Sequence, residues 1–359
     1  MEPRVRPEVA GPMTGSAKSG IGFADGPIPA QLRSLHPGYL LHDCKPRARA
    51  ALLAARLADA NSKRHDGGAW RRGFHANHAN LGYPVSGWFP KPSVASERRV
   101  ATPRLTMNIV EAGRGPAVLL LHGLGWDHSL WNPTVEKLAA HYHVIAVDTR
   151  GHGGTDKPDG PYDMDMFARD YAALADALGL SRMCVIGLSQ GGMVAQKLAL
   201  LRPDLVSSLV LISTSCKSAP SLRDNMEARI AAMEKMGPEA AAGIAAESIF
   251  SPAWRAANAA ALAKFIGWRS AMPSAPLNAA TRSLYDFNLS NDLPRIAVPT
   301  LVVAGQEDVL TRPQGMEEIA ALIPGAEYRL IPNSGHMIPV EQPGPLDALL
   351  SAFLKAHVH

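Results

Sequence analysis

The chain has 359 residues, 47% of them hydrophobic and 19% charged, a balance ordinary for globular proteins and long enough for one large domain with an insertion. Its longest nearly uncharged runs, such as 117–126 (AVLLLHGLGW), fall short of the ~18–20 apolar residues that span a bilayer, so no membrane partner is expected. The net charge of +4 divides unevenly: residues 1–100 carry 15 Lys/Arg against 7 Asp/Glu, and the remainder carries 21 against 25.

The basic character therefore belongs to residues 1–98, where the arginines are scattered through Pro/Gly-rich text. They form no basic stripe interleaved with aromatics, so no nucleic-acid partner is expected. This segment reads as a basic, poorly ordered extension with one amphipathic helix at 46–61 and a linker at 82–94. Its first thirty residues lack a compact apolar core and include Glu2, Glu8 and Asp25, which argues against a secretory or transit signal. Cys44, Cys184 and Cys216 have no C-x-x-C spacing, and Cys184 sits in an apolar run as a small hydrophobe would. A reducing cytoplasm is the expected setting.

From residue 99 the pattern changes. Residues 104–113 alternate like a strand, and 117–121 and 143–148 are short apolar runs of the kind buried on both faces of a sheet. Helical spacing lies between them, and again at 164–180, which ends in a glycine stop. Strand 182–188, helix 190–202 and strand 207–214 follow. Residues 217–292 then break the alternation with Ala-, Met- and Trp-rich helical text, and strands at 298–305 and 326–332 resume it, with helices at 313–323 and 345–356. The expected fold class is α/β, a mostly parallel, doubly wound sheet. Its core comprises 99–216 and 293–359, and a helical cap, or lid, comprises 217–292.

The stretch 185–196, VIGLSQGGMVAQ, sets a serine between glycines where a strand meets a helix. In G-x-S-x-G at such a turn, strained backbone angles push the hydroxyl out above the sheet, and the glycines remove side chains that would collide with neighbours. Ser189 is thus the candidate nucleophile. Such a serine needs a base and an acid. His336, in a loop directly after a predicted strand and last in the order, is the favoured base over His122, His152, His357 and His359. Past strand 298–305 stand Glu307 and Asp308; Asp308 is the choice for the acid, with Glu307 the alternative. Two amides must also face a developing oxyanion. The backbone of Gln190 supplies one, and Leu124, in the glycine-rich loop after an early strand, supplies the other.

The ordered set HGLG, DTRGHGGTDKP, GLSQGG, GQEDVLTRP and NSGHMIPVEQP resembles the α/β-hydrolase fold superfamily over roughly residues 100–359. The resemblance implies Ser189 as nucleophile, Asp308 as acid, His336 as base, and Leu124 and Gln190 as oxyanion-hole donors; it gives His152, in RGHGG, a structural part. Serine at the turn separates the chain from the dehalogenase and epoxide hydrolase branches. The text is most similar to the group of 3-oxoadipate enol-lactonases, carboxylesterases and cofactor-free haloperoxidase-like enzymes, though the extension and Gln190, where many members have methionine, depart from it.

These readings imply a serine hydrolase acting on a small-molecule ester or lactone through an acyl-enzyme, with no metal or organic cofactor. The alternatives are a carbon–carbon bond hydrolase of ring-cleavage products and a non-catalytic ligand receptor on the same fold. Trp126, Met193, Trp254, Phe265 and Trp268 are candidate pocket residues. Arg269 and Arg282 are candidate partners for a substrate carboxylate, weighed against a solvated surface position.

Overall fold

The computed structural model describes residues 87–219 and 222–359, all within the second of two units, Ala79–His359. The helix expected at 46–61 and Cys44 lie outside the described residues. Eight strands are present among the described residues: β1 (Ser96–Ala101), β2 (Thr106–Ala112), β3 (Ala117–Leu121), β4 (His143–Val147), β5 (Met183–Leu188), β6 (Val206–Ile212), β7 (Thr300–Gly305) and β8 (Glu327–Ile331). They form one sheet in the order β1-β2-β4-β3-β5-β6-β7-β8. The β1–β2 and β2–β4 pairs are antiparallel and the other five parallel, so the expected α/β sheet is the observed one.

The period-2 geometry of strands sorts the core into two layers. Leu119 and Leu121 of β3, Val185 of β5 and Val302 of β7 face one cluster, while Val118, Leu120, Ile186 and Val303 face the other. Helices α1 (Asn132–Leu138), α2 (Met164–Ala177) and α3 (Gln190–Leu201) connect the strands of the first half. α2 starts where the Asp163 carboxylate accepts from the Met166 N–H at 2.6 Å, a side-chain cap, and ends just before Gly179 at φ +67°. Between β6 and β7 run α4 (Leu222–Met236), α5 (Pro238–Ile249), α6 (Pro252–Ala257), α7 (Ala259–Ser270) and α8 (Ser274–Arg282). After β7 come α9 (Pro313–Leu322), the one-turn α10 (Ile338–Glu341) and α11 (Pro343–His357).

Two features differ from the sequence-based expectation. Strand β1, SERRVA, crosses the boundary drawn at residue 98. It is an edge strand with Val100 as its one buried residue, so it carries no alternating apolar signal. Arg98 pairs with Glu111 at 2.6 Å on β2, and Arg99 pairs with Asp156. The chain is also packed earlier than expected: Trp88, in the stretch read as a linker, is only 4% exposed.

Candidate active site

Ser189 stands between β5 and α3 at φ 54°, ψ −118°, a backbone region that costs a non-glycine residue ~1–3 kcal/mol. Its surroundings hold it there. The Ser189 N–H donates to the Ile212 carbonyl at 2.9 Å, and the Thr214 hydroxyl donates to the Ser189 carbonyl at 2.7 Å. A Cβ on Gly187 would overlap the Gly191 carbonyl, and one on Gly191 would overlap that of Leu121. The strand and the helix can therefore approach this closely only through glycine.

Asp308 and His336 follow β7 and β8, whose carboxyl ends lie on the same sheet edge as that of β5. His336 Nδ1 is 2.8 Å from Asp308 Oδ2, and the two residues are buried. The Thr311 hydroxyl donates to the same oxygen at 2.7 Å, while the Leu310 and Thr311 N–H groups donate to Oδ1 at 2.8 and 3.0 Å. Burial alone would raise the Asp308 carboxyl pKa. The positive form of His336 and these hydrogen bonds outweigh it and hold the carboxyl below the usual carboxylate range. The neighbouring Glu307 is half-buried and meets this region through its backbone N–H, which donates to the Ser334 carbonyl at 2.8 Å. No hydrogen bond joins the Ser189 hydroxyl to the His336 ring among the described residues. Thr311 went unread in the sequence because a threonine three residues beyond an acid carries no distinctive signal.

The loop after β3 reaches Ser189 at Gly123, where a Cβ would come within 3.2 Å of the serine Cβ. Two buried imidazoles shape this loop. Thr149 N–H donates to His122 Nε2 at 3.0 Å, which leaves the His122 proton on Nδ1, donating to the Gly123 carbonyl at 2.8 Å. Trp126 N–H donates to that same carbonyl at 3.2 Å. The Gly123 carbonyl and the Leu124 N–H belong to one trans peptide, so anchoring the carbonyl turns the Leu124 N–H the opposite way. Gly125 N–H in turn donates to His152 Nε2 at 3.0 Å, with His152 Nδ1 3.1 Å from the Arg150 carbonyl. Burial pushes the His122 pKa down and that of His152 down to about 3, so each ring is a neutral acceptor. Among the described residues, neither the Leu124 nor the Gln190 amide is taken up by a backbone partner.

The Gln190 side chain donates at 3.0 Å both to the Ala280 carbonyl and to the Ser283 hydroxyl. It ties the turn to α8. Four of the expected pocket residues gather in one aromatic group. Trp126 lies 5.4 Å from Phe265 and 5.1 Å from Trp268 between ring centroids, and Trp254 stacks on Phe250 at 4.3 Å, itself 5.2 Å from Phe265. Met193 is not among them; it packs in the opposite layer with residues of α2 and α3.

Trp88, unread as a contributor, joins this group 5.7 Å from Trp126 and 6.2 Å from Phe265. Its carbonyl accepts from Lys264 of α7 and its N–H donates to the Ser129 hydroxyl. Arg282 is a surface residue paired with Glu227 at 2.8 Å, as the solvated reading has it. The Arg269 guanidinium, by contrast, lies where a Cβ on Gly125 would sit. Among the described residues, no group of three or more His, Cys, Asp or Glu is arranged to hold a metal.

Known proteins are similar to this chain in sequence and fold. Residues 118–349 match the alpha/beta hydrolase family. A Stutzerimonas stutzeri protein provisionally named carbamate hydrolase RutD is 32% identical over 241 residues, covering 66% of this chain and 90% of that protein. The 3-oxoadipate enol-lactonase 2 of Acinetobacter baylyi is 27% identical over 240 residues, 67% of this chain and 89% of the enzyme. Among solved structures, a malate-bound thermophilic esterase from Thermogutta terrifontis aligns with a TM-score of 0.68 and 27% identity, covering 73% of this chain and 99% of that one. A match over most of the sheet and its connections, shared with hydrolases of esters and lactones, means that this chain belongs to the alpha/beta hydrolase family and is itself a hydrolase.

Proposed function

We propose that the enzyme cleaves carboxylic esters or lactones through an acyl-enzyme formed on Ser189. The observation that carries this reading is the strained Ser189 backbone at the head of α3, on the sheet edge that also bears the Asp308–His336 pair. His336 Nε2 takes the hydroxyl proton as Ser189 Oγ bonds to the substrate carbonyl carbon, and the carbonyl π electrons move onto oxygen. The Leu124 and Gln190 amides hold that oxyanion. When the carbon–oxygen bond to the leaving group breaks, His336 returns the proton to the departing oxygen. A water molecule then gives a proton to the same nitrogen as it attacks the acyl carbon, and Ser189 leaves protonated. Asp308 keeps the imidazole proton on Nδ1 and stabilises the imidazolium. The aromatic group of Trp126, Trp254, Phe265 and Trp268 lies beside the loop of Leu124 and walls the acyl side of the site, and the insertion acts as its lid. Two free buried thiols, Cys184 and Cys216, suit a reducing, cytoplasmic setting.

Esters and lactones are favoured by the likeness to an enol-lactonase and an esterase; the likeness to RutD makes carbamates the informative control. Purified enzyme assayed on p-nitrophenyl esters of rising chain length, on lactones and on carbamates tests the reading. Turnover of an ester or lactone that Ser189→Ala abolishes is expected. Undiminished turnover by the alanine variant, or turnover confined to carbamates, contradicts it.

A further inference from the structure

We propose that Glu341 is a positioning residue that fixes the loop bearing His336 and joins it to the insertion between β6 and β7; the proposal rests on His336 being the base. The carboxylate of Glu341 is buried at the end of the one-turn helix α10. Its Oε2 accepts from the Gly335 N–H at 3.0 Å and its Oε1 from the Met337 N–H at 3.3 Å. The backbone N–H groups of the residues before and after His336 are thus held by one side chain. Oε2 also accepts from the Ser251 N–H, at 3.0 Å, at the junction of α5 and α6.

The junction answers in kind, since the Ile249 carbonyl accepts from the His336 and Met337 N–H groups at 3.0 and 3.2 Å. Gly335 makes the approach possible: a Cβ there would sit 2.8 Å from the Ser251 nitrogen and 2.9 Å from Glu341 Oε1.

The chemistry of the donors accounts for the residue type. Three N–H groups converge on two oxygens, and only a carboxylate offers two acceptor atoms with no donor of its own. A glutamine of the same shape turns an N–H₂ toward at least one of these N–H groups, setting two donors face to face. Turned toward Met337, whose N–H keeps the Ile249 carbonyl, it loses one arm of the bracket and leaves its own N–H₂ without an acceptor there. The imidazole is fixed on one side by Asp308 and along its backbone by Glu341. Its placement over the serine is therefore conditional on the insertion being seated at Ser251. A shift of ~1 Å in a reacting group costs on the order of 10²-fold in rate, so loosening this bracket is read in kcat.

The test uses the full chain, with kcat and KM for p-nitrophenyl acetate and the rate of Ser189 phosphonylation by a fluorophosphonate probe, each from pH 5 to 9. Glu341→Gln is expected to melt cooperatively and keep KM within about twofold, while kcat and the phosphonylation rate both fall about 10- to 100-fold across that range. Glu341→Asp, which keeps the charge but shortens the reach, falls between the two, and carries the same test should the glutamine variant not fold. A folded variant with wild-type kcat and phosphonylation, or one in which only KM rises, overturns the proposal. Wild-type enzyme that the probe does not modify at Ser189 removes the underlying reading instead, and a modified wild type beside an unaffected variant removes this one alone.

Discussion

His336 Nδ1 stands 2.8 Å from Asp308 Oδ2, joining the ends of β7 and β8, two parallel strands paired side by side. Asp308 is fixed by three donors from residues 310 and 311, and His336 is fixed by Asp308.

Asp308→Asn keeps the shape of this contact but presents an amide to Nδ1 and favours the wrong tautomer. It should lower kcat about 10³–10⁴-fold with little change in melting temperature. Steady-state kinetics at pH 7 on the best ester substrate checks this; a loss below tenfold would contradict the orienting role given to Asp308.

His152 accepts from the Gly125 N–H and stays neutral in the fold, its pKa pushed down to about 3 by burial first and by the nearby His122 ring next. Unfolded, it takes up a proton near pH 6.5. Between those values the unfolded chain binds more protons than the folded one, so stability falls as pH drops from about 6.5 toward 3. Thermal melts of wild type and His152→Gln across this interval should show a weaker pH dependence in the variant; parallel curves would contradict the role given to burial. Asp308 adds a second acid limit: its lowered pKa means that its contribution is full above the ordinary carboxylate value and is lost below it.

Gln190 separates two roles in one residue. Its backbone N–H opens α3, while its side chain ties the turn to Ala280 and Ser283. Gln190→Ala should destabilise the protein by about 1–3 kcal/mol, because it removes two buried hydrogen bonds while the Ser283 hydroxyl still donates to the Ala280 carbonyl, yet keep kcat within about tenfold. Chemical denaturation and ester kinetics on the same preparation test both halves. A collapse of kcat in a stable variant would move the side chain into the chemistry.

Much of this was legible in the sequence, for reasons that vary by residue. Strands β3, β5, β6 and β7 are buried on both faces and read as continuous apolar runs, and the glycines about Ser189 mark an approach that no side chain permits. Of the proposed triad, Ser189 and Asp308 follow such runs, whereas His336 follows the mostly exposed β8 and stands out by coming last in the order. Strand β1 was missed because its stabilising contacts are ion pairs and edge pairing, which leave no periodicity. Trp88 was missed for the opposite reason: its partners Trp126, Phe265 and Trp268 lie far along the chain, and a Pro/Gly-rich setting hides a residue that packs only through tertiary contact. Met193, a candidate pocket residue beside the aromatics, instead packs in the other layer, since a side chain's direction around a helix is not read from its nearness in sequence.

Trp88 yields its own test. Its ring is nearly fully buried among four aromatic neighbours, and truncation leaves a large void. Trp88→Ala should cost about 3–5 kcal/mol in urea denaturation. A cost below 1 kcal/mol would show that residues before β1 do not contribute to the folded unit.

An acyl group that passes through the oxygen of Ser189 can be caught there. Rapid acid quench of the enzyme a few milliseconds after mixing with p-nitrophenyl acetate, followed by peptide mass spectrometry, measures this directly. An added acetyl mass is expected on the peptide containing Ser189, appearing with a burst of nitrophenolate and absent from Ser189→Ala. Nitrophenolate release at full rate with no acyl mass on that peptide would contradict it.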